Sequence, residues 1–202
     1  MERPLYINGA GGHARVCLDV ARRSGRTVAA VVDPFSTIDE LDGVTVKHEG
    51  EGLAPFIIAV GDNALRRRIA ERYPEEAVAE ALIDPSAVVS PSARIGAGSV
   101  VMAGAVVQAG AVIGRHSIIN TGATVDHECR VGDYVHIAPG CHLCGNVTVG
   151  DGTLLGVGTV ATPGAVVGAG CNVAAGSVVK RRIPDGSLAS GNPCRALRRL
   201  SK

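Results

Sequence analysis

A period of six residues runs through the second half of the chain. Every sixth position from Val89 to Val179 holds Val, Ile or Leu, except for Ala161, and the residue two places before each is always small or Val. This period predicts a parallel β-helix, because each repeat can form one side of a triangular coil and buries its apolar residues only when coils stack. Three repeats make one coil, so residues eighteen apart should lie above one another.

The register also assigns directions to side chains. His136 and His142 each precede an inward aliphatic residue, so both should point outward, on successive faces of the triangle. His127 lies at a corner, and Gly145, eighteen residues later, should stack over it and leave bare backbone beside the imidazole. We interpret His116, like His142, as facing solvent or a neighbouring subunit.

Glycine often follows the aliphatic position of the repeat. At these places we expect a corner that needs a positive φ or a close approach between backbones. The residues concerned are Gly96, Gly114, Gly132, Gly150, Gly156 and Gly168.

Composition excludes several function classes. The net charge is +1 and the chain has three Tyr, two Phe and no Trp, which argues against binding to nucleic acid or to an anionic membrane. No apolar run is long enough to span a bilayer and the N-terminus lacks an export signal, so we expect a cytoplasmic protein. Three of the six cysteines, Cys129, Cys141 and Cys171, fall in the inward small-residue register and should be buried, reduced thiols.

The first half of the chain has the pattern of a small Rossmann-like βαβ unit. Residues 5–8 predict a strand, a glycine-rich turn leads into a helix that ends near Ser24, and a second strand ends at Asp33. Gly9, Gly11 and Ala14 fit G-x-G-x-x-A, with Asp33 placed to meet a ribose hydroxyl.

Only one such half is present, which favours a mononucleotide or nucleotide-sugar site over a dinucleotide site. A mere cap on the end of the β-helix is the alternative. We place the boundary between the two domains at residues 84 and 85. A third strand before it leads into an Arg-rich helix that starts near Asn63 and whose arginines we expect to be solvated.

His127 is flanked by Asp126 and Glu128. A carboxylate beside an imidazole can raise its basicity and orient its ring, as a general base requires, although a surface charge cluster would have the same sequence. Gamma-class carbonic anhydrases bind zinc on this type of fold through three histidines. Here His127, His136 and His142 point in different directions in the register, so we expect no metal.

Four segments together resemble a known family, and they cover nearly the whole chain: GAGGH, IAVGDN, NTGATVDHECRVGDYVHIAPG and GNPCR. They are similar to the bacterial nucleotide-sugar acetyltransferases, in particular the UDP-4-amino-sugar N-acetyltransferases of the bacillosamine pathway, with sialic-acid O-acetyltransferase-like proteins as relatives. The resemblance implies a left-handed β-helix over residues 85–202, acetyl-CoA as donor, and homotrimers with active sites between adjacent β-helices.

The resemblance also implies roles for individual residues. His127 would be the general base and Glu128 would raise its basicity. Residues implied to contact acetyl-CoA are His136, Gly145, Gly156, Val157 and Ala175. Residues implied to contact the nucleotide sugar are Gly11, Gly12, His13, Asp33, Pro34, Gly61 and Asn120.

The sequence therefore predicts an N-acetyltransferase that acts on the 4-amino group of a nucleotide-linked 4-amino-4,6-dideoxy sugar. UDP is the nucleotide that the resemblance favours, with GDP and dTDP open. The alternatives are O-acetylation of a sugar hydroxyl, a zinc-dependent hydratase and a scaffold trimer without catalysis. A basic C-terminal segment could contact CoA phosphates or be solvated; it comprises Lys180, Arg181, Arg182, Arg195, Arg198 and Arg199.

Overall fold

The computed structural model describes residues 3–49 and 53–200. The N-terminal domain is a five-stranded sheet of order β3-β4-β2-β1-β5, in which only β3 is antiparallel to its neighbour. Its elements are β1 (Leu5–Asn8), α1 (Gly12–Arg23), β2 (Val28–Val32), β3 (Glu40–Leu41), β4 (Val44–Lys47), β5 (Phe56–Ile58), α2 (Asn63–Ala70) and a 3-10 turn (Glu75–Ala77). The predicted strand, helix and strand at the start of the chain are confirmed, whereas the hairpin β3–β4 was not predicted.

The rest of the chain is a left-handed parallel β-helix with three faces, as the six-residue period predicts. We call its three sheets the domain face, the valine face and the arginine face. The domain face contains β6 (Leu82–Ile83), β9 (Val100–Val101), β12 (Ile118–Ile119), β15 (His136–Ile137), β18 (Leu154–Leu155), β21 (Asn172–Val173), β23 (Ser187–Gly191) and β24 (Cys194–Arg199). The valine face contains β7 (Val88–Val89), β10 (Val106–Val107), β13 (Thr124–Val125), β16 (His142–Leu143), β19 (Val160–Ala161) and β22 (Val178–Val179). The arginine face contains β8 (Arg94–Ile95), β11 (Val112–Ile113), β14 (Arg130–Val131), β17 (Thr148–Val149) and β20 (Val166–Val167).

From β6 to β22, strands that pair within a face join residues eighteen apart, for example Val106 with Thr124 and Thr124 with His142. The second residue of each short strand points inward, and these residues form one continuous core with the small residues that precede them. Cys129, Cys141 and Cys171 are buried in this core, as predicted.

The glycines that follow the aliphatic position permit close backbone approach and do not provide the positive φ. A Cβ on Gly96 would lie 2.7 Å from the backbone nitrogen of Arg115, whereas the left-handed residue of that corner is Gly98 (φ 73). The same left-handed position recurs every six residues from Gly98 to Gly176, and at four of these corners it holds a residue other than glycine: His116, Glu128, Tyr134 and Asn146.

The N-terminal domain packs on the domain face of the β-helix. The outward side chains of Val100 and Ile118 share one apolar cluster with Leu5 and Leu18 of the first domain. Arg23 of α1 also pairs with the buried carboxylate of Asp84, at the start of the β-helix. Within residues 3–49 and 53–200, no helix combines the length and the apolar character needed to cross a membrane.

Candidate active site

The candidate residues lie at or beside three edges of the triangular β-helix. The His127 edge joins the valine and arginine faces, and the Asn120 edge joins the domain and valine faces. The Tyr134 edge joins the arginine and domain faces. One face uses about six residues, so two edges of the same chain are separated by up to about 20 Å.

The imidazole of His127 is exposed and has one carboxylate partner. Its Nδ1 lies 3.3 Å from Oε2 of Glu128. The carboxylate of Asp126 instead accepts a hydrogen bond from the backbone nitrogen of His127, at 2.7 Å. It therefore stabilises the backbone of the corner and does not contact the imidazole. Glu128 has φ 59, a left-handed backbone that favours glycine, and its side chain is the one that reaches the imidazole.

Gly145 stacks over this imidazole, as predicted from the register. A Cβ on Gly145 would overlap Nε2 and Cε1 of His127. The φ of Gly145 is not positive, so the bare α-carbon is required by space and not by backbone conformation. The result is an imidazole whose Nδ1 meets a carboxylate and whose Nε2 faces bare backbone.

His136 lies on the domain face, beneath the N-terminal domain, with both ring nitrogens engaged. Nδ2 of Asn120 lies 3.0 Å from Nε2 of His136, and Thr121 donates its backbone N–H to the other end of the same amide. Asn120 is therefore the donor, Nε2 is the acceptor, and Nδ1 donates to the carbonyl of Gly61 at 3.3 Å. Burial, helped by the nearby charge of Arg66, lowers the pKa of His136 to about 4, so this ring is neutral at pH 7.

The N-terminus of α1 forms an open, polar end beside His136. Gly11 caps the helix without a side-chain hydrogen bond, and neither Gly11 nor Gly12 has an atom within 4 Å of where a Cβ would stand. His13 follows, with its ring centroid 6.4 Å from that of His136. Its Nε2 is buried and has no hydrogen-bond partner among residues 3–49 and 53–200. Burial, with smaller contributions from His136 and Arg66, lowers the pKa of His13 to about 4.

A cavity of about 490 Å³ opens at the carboxyl ends of β1, β2 and β5, where open parallel sheets bind ligands. Its lining includes Asp33, Pro34, Phe35, Val60 and Tyr73. Sequence reasoning missed Phe35 and Tyr73. Phe35 could have been recognised from the sequence, because an aromatic residue in a polar loop is a candidate for contact with a ligand. Its side chain is 90% exposed at the cavity.

Asp33 connects this cavity to the glycine-rich turn. Its Oδ2 accepts a hydrogen bond from the backbone nitrogen of Ala10 at 2.9 Å, and its Oδ1 accepts one from Phe35 at 3.0 Å. The carboxylate therefore fixes the shape of both loops that border the cavity, in addition to any contact with a ligand.

Gly156, Val157 and Ala175 lie along the Asn120 edge. A Cβ on Gly156 would stand 2.6 Å from the backbone nitrogen of Ala175, so this glycine lets two coils stack. Val157 is 56% exposed. These residues and Asn120 are thus on one edge, while His127, Glu128 and Gly145 are on another edge of the same face.

Comparison with known proteins places the chain in a family. Residues 4–73 match the PglD N-terminal domain, and residues 92–127 match the bacterial transferase hexapeptide (six repeats). PerB from Caulobacter crescentus, solved in complex with CoA and GDP-perosamine, is 41% identical, with a TM-score of 0.90 over 97% of this chain and 98% of that chain. The acetyltransferase domain of PglB from Neisseria gonorrhoeae FA1090, solved with acetyl coenzyme A, is 40% identical, with a TM-score of 0.91 over 98% and 100% of the two chains. WeeI from Acinetobacter baumannii AYE is 25% identical, with a TM-score of 0.86 over 96% and 99%.

The chain belongs to the bacterial hexapeptide-repeat nucleotide-sugar N-acetyltransferases of the bacillosamine and perosamine type. His142 and His116 lie in different surroundings. His142 is exposed on the valine face, where its Nδ1 lies 3.0 Å from Oγ1 of Thr124. His116 is only 2% exposed, so its interpretation as a solvent-facing residue was wrong: α2 of the N-terminal domain covers it.

The three histidines considered for zinc are not brought together in this acetyltransferase chain. His127 is on its own edge, His136 is under the N-terminal domain, and His142 is on the valine face. Across residues 3–49 and 53–200, no group of three or more His, Cys, Asp or Glu side chains is placed to hold a metal ion.

Proposed function

We propose that the protein transfers the acetyl group of acetyl-CoA to the 4-amino group of a nucleotide-linked 4-amino-4,6-dideoxy sugar, in a site shared by two protomers of a homotrimer. Residues 1–84 would bind the nucleotide sugar, and residues 85–202 would supply the catalytic base and the path of the donor. The observation that carries this proposal is the distribution of the candidate residues over two edges of one face.

A shared site follows from that distribution. His127 and Glu128 lie on one edge of the valine face, whereas Asn120 lies on the other, with Gly61 and His13 of the N-terminal domain near it. No side chain reaches from one edge to the other across a whole face. If valine faces from three protomers surround a three-fold axis, the His127 edge of each protomer meets the Asn120 edge of its neighbour.

The valine face has the composition for such packing. Its outward residues include no Asp, Glu, Lys or Arg, while the arginine face presents Arg94 and Arg130 outward. The outward residues of the valine face are Val88, Val106, Thr124, His142, Val160 and Val178. Val88 is 62% exposed in the single chain, and a depletion of charged side chains is typical of the core of a subunit interface.

The geometry at His127 suits a general base. The carboxylate of Glu128 accepts a hydrogen bond from Nδ1–H, which leaves Nε2 as the basic nitrogen beside Gly145. Nε2 then takes a proton from the sugar amine as the amine nitrogen bonds to the thioester carbonyl carbon, and returns it to the sulfur as the carbon–sulfur bond breaks. Acetyl-CoA supplies an activated acyl group, so no residue of the enzyme needs to be acetylated.

The nucleotide end of the substrate fits the first domain. The open N-terminus of α1 favours a diphosphate, and the unpartnered Nε2 of His13 offers a further contact there. The cavity beyond β2 is lined by Phe35, on which a base could stack. UDP is the nucleotide that we propose from the bacillosamine-type resemblance, and GDP is tested beside it because PerB was solved with GDP-perosamine.

The donor path is proposed to follow the boundary between neighbouring protomers. Lys180, Arg181 and Arg182 follow β22, so they lie at the His127 edge, about three coils or ~14 Å beyond His127. All three are exposed, in position for the phosphates of CoA. Gly156, Val157 and Ala175 of the neighbour would line the opposite side.

The experiment is an acceptor panel followed by mass spectrometry. Wild-type protein and His127→Ala are incubated with acetyl-CoA and with UDP-, GDP- and dTDP-linked 4-amino sugars, and with free sialic acid as the test of O-acetylation. We expect the mass gain of one acetyl group on an amino sugar with wild type only. Acetylation of sialic acid alone would replace the proposed acceptor, and no acetylation of any compound would reject the proposed reaction.

A further inference from the structure

One arginine of α2 is buried although the helix has the composition of a solvated surface. Arg67 and Arg68 are exposed, as expected, but Arg66 is only 1% exposed. The prediction that the Arg-rich face is solvated was therefore wrong for Arg66. Asn63 and Ala70, three residues before it and four after it, lie on the same side of the helix; Asn63 is half-buried and Ala70 is buried.

Arg66 bonds to carbonyl oxygens from both domains. Its Nε donates to the carbonyl of His116 at 2.7 Å, and its Nη2 donates to that of Tyr134 at 3.0 Å. On the other side, Nη1 donates to the carbonyl of Val60 at 2.8 Å and to that of Gly61 at 3.3 Å. No carboxylate in the described part of the chain forms an ion pair with it. Burial lowers the pKa of Arg66 to about 10, so the guanidinium is charged at pH 7.

The surface that receives α2 departs from the repeat. At the left-handed position of the Tyr134 edge the chain otherwise uses glycine, as at Gly98, but His116 has φ 50 and Tyr134 has φ 56. Their rings stack with centroids 5.2 Å apart and planes 10° from parallel. The guanidinium carbon of Arg67 lies 4.8 Å from the centre of the Tyr134 ring. Both non-glycine residues are thus explained by their contacts with α2 and with each other.

The same contacts continue to the substrate cavity. Val60 lines the cavity and is held by Arg66 through its carbonyl. The carbonyl of Gly61 accepts a hydrogen bond from His136, which Asn120 fixes in turn. The turn at Val60 and Gly61 is therefore connected to the β-helix at two places, through Arg66 and through His136.

We propose that Arg66 is a positioning residue that fixes the Val60–Gly61 turn, and hence the bound nucleotide sugar, relative to the β-helix. This inference rests on the proposed function, since it assigns the cavity to the sugar nucleotide. A guanidinium suits the task because its five donors in one plane can satisfy carbonyls on two sides at once, whereas a lysine ammonium cannot span them.

The test compares Arg66→Met and Arg66→Lys with wild type by steady-state kinetics. We expect KM for the sugar nucleotide to rise about tenfold in Arg66→Met, as for the loss of hydrogen bonds from a charged group, with KM for acetyl-CoA changed less than about twofold. We expect Arg66→Lys to restore only part of the loss. A purely structural role would lower the fraction of active enzyme and leave both KM values unchanged, and that result would overturn the proposal.

Asn63→Ala is the milder variant if Arg66→Met does not fold. Asn63 accepts a hydrogen bond from Arg66 at 2.6 Å and donates one to the carbonyl of Gly152 at 3.1 Å. Its loss should shift KM for the sugar nucleotide in the same direction by a smaller factor. An increase in KM for acetyl-CoA equal to that for the sugar nucleotide would contradict the inference.

Hydrogen exchange separates this inference from the proposed function. In Arg66→Met, or in Asn63→Ala if the former does not fold, amides of the segment 59–66 should exchange faster while those of the His127 corner keep their wild-type rates. If wild type acetylated nothing on the panel but this pattern appeared, the proposed function would fail and the structural connection would stand. Unchanged exchange in segment 59–66 would contradict the connection itself.

A pair of glycine variants provides the matched control. Tyr134→Gly and Asn146→Gly both remove a side chain from a left-handed position, where glycine relieves backbone cost. Asn146 is exposed and remote from α2, so its variant should keep or raise Tm. Tyr134→Gly should lower Tm and speed exchange in α2; equal Tm values in the two variants would contradict a docking role for the Tyr134 edge.

Discussion

The His127 edge and the Tyr134 edge are built from the same repeat and serve opposite purposes. Glu128 and Tyr134 occupy the same left-handed position of successive corners, with φ 59 and φ 56. At the His127 edge the side chains are open to solvent, and Gly145 keeps one ring nitrogen accessible. At the Tyr134 edge, α2 covers the corner, and Arg66 donates hydrogen bonds to the backbone carbonyls of His116 and Tyr134. The β-helix thus provides a uniform backbone. Non-glycine residues at its left-handed corner positions occur at the edge that holds His127 and at the edge that binds α2.

Removing the imidazole tests the exposed edge most strongly. His127→Ala should lower kcat by about 10²- to 10⁴-fold, because the amine loses its proton acceptor, with little change in KM for acetyl-CoA. His48→Ala is the control, since His48 is a partly exposed histidine of the N-terminal domain paired with Asp39. A changed KM for acetyl-CoA with intact kcat would make His127 a binding residue instead.

Adding one methyl group at the same edge should have the next largest effect. Gly145→Ala places a Cβ on Nε2 of His127, so we expect kcat to fall about 10²-fold while Tm changes little. In the His127→Ala background the ring is gone, and the same methyl group should cost no further activity. Equal losses in both backgrounds would show that Gly145 acts elsewhere.

Acid should destabilise the fold through His116, at the Tyr134 edge that α2 covers. Burial, together with the charges of Arg115 and Arg66, lowers the pKa of His116 to about 4, from an ordinary value of 6.5. The unfolded chain therefore binds more protons between these values, and the free energy of unfolding should fall as the pH drops from 6.5 to 4. His116→Asn, which tolerates a left-handed backbone, should reduce the fall in Tm over this range. The same pH dependence in wild type and variant would show that His116 does not contribute.

The smallest effect is expected at the basic end of the His127 edge. Arg181→Ala should raise KM for acetyl-CoA by a few-fold, because exposed charge pairs contribute little each. Arg198→Ala, on the exposed strand β24, is the matched control and should leave KM unchanged. Equal changes in the two variants would indicate a general effect of charge rather than a CoA phosphate contact.

The sequence was sufficient for features that the repeat determines. Because the period fixes both the register and the inward positions, it predicted the three faces, the buried cysteines and the stacking of Gly145 over His127. The motif at the first turn likewise predicted β1, α1 and β2.

Features that depend on packing between the domains were not predictable in this way. α2 has only eight residues with three consecutive arginines, so its pattern does not show which arginine faces inward. The partners of Arg66 on the β-helix are backbone carbonyls some fifty to seventy residues away, and a carbonyl leaves no sequence signal. His116 was misassigned for the same reason, since the register gives its direction but not what covers it.

The central claim is that the active site combines two protomers, and mixed trimers test it directly. His127→Ala removes the base from one edge, and Gly61→Trp fills the open space beside Gly61 near the other edge. The two inactive variants are denatured together, refolded in equal amounts and assayed for acetylation of the amino sugar. A shared site predicts recovery to about one quarter of wild-type activity, the fraction of sites that receive both intact halves from random assembly. Activity that stays at the level of the separate variants would contradict the shared site and place both halves within one chain.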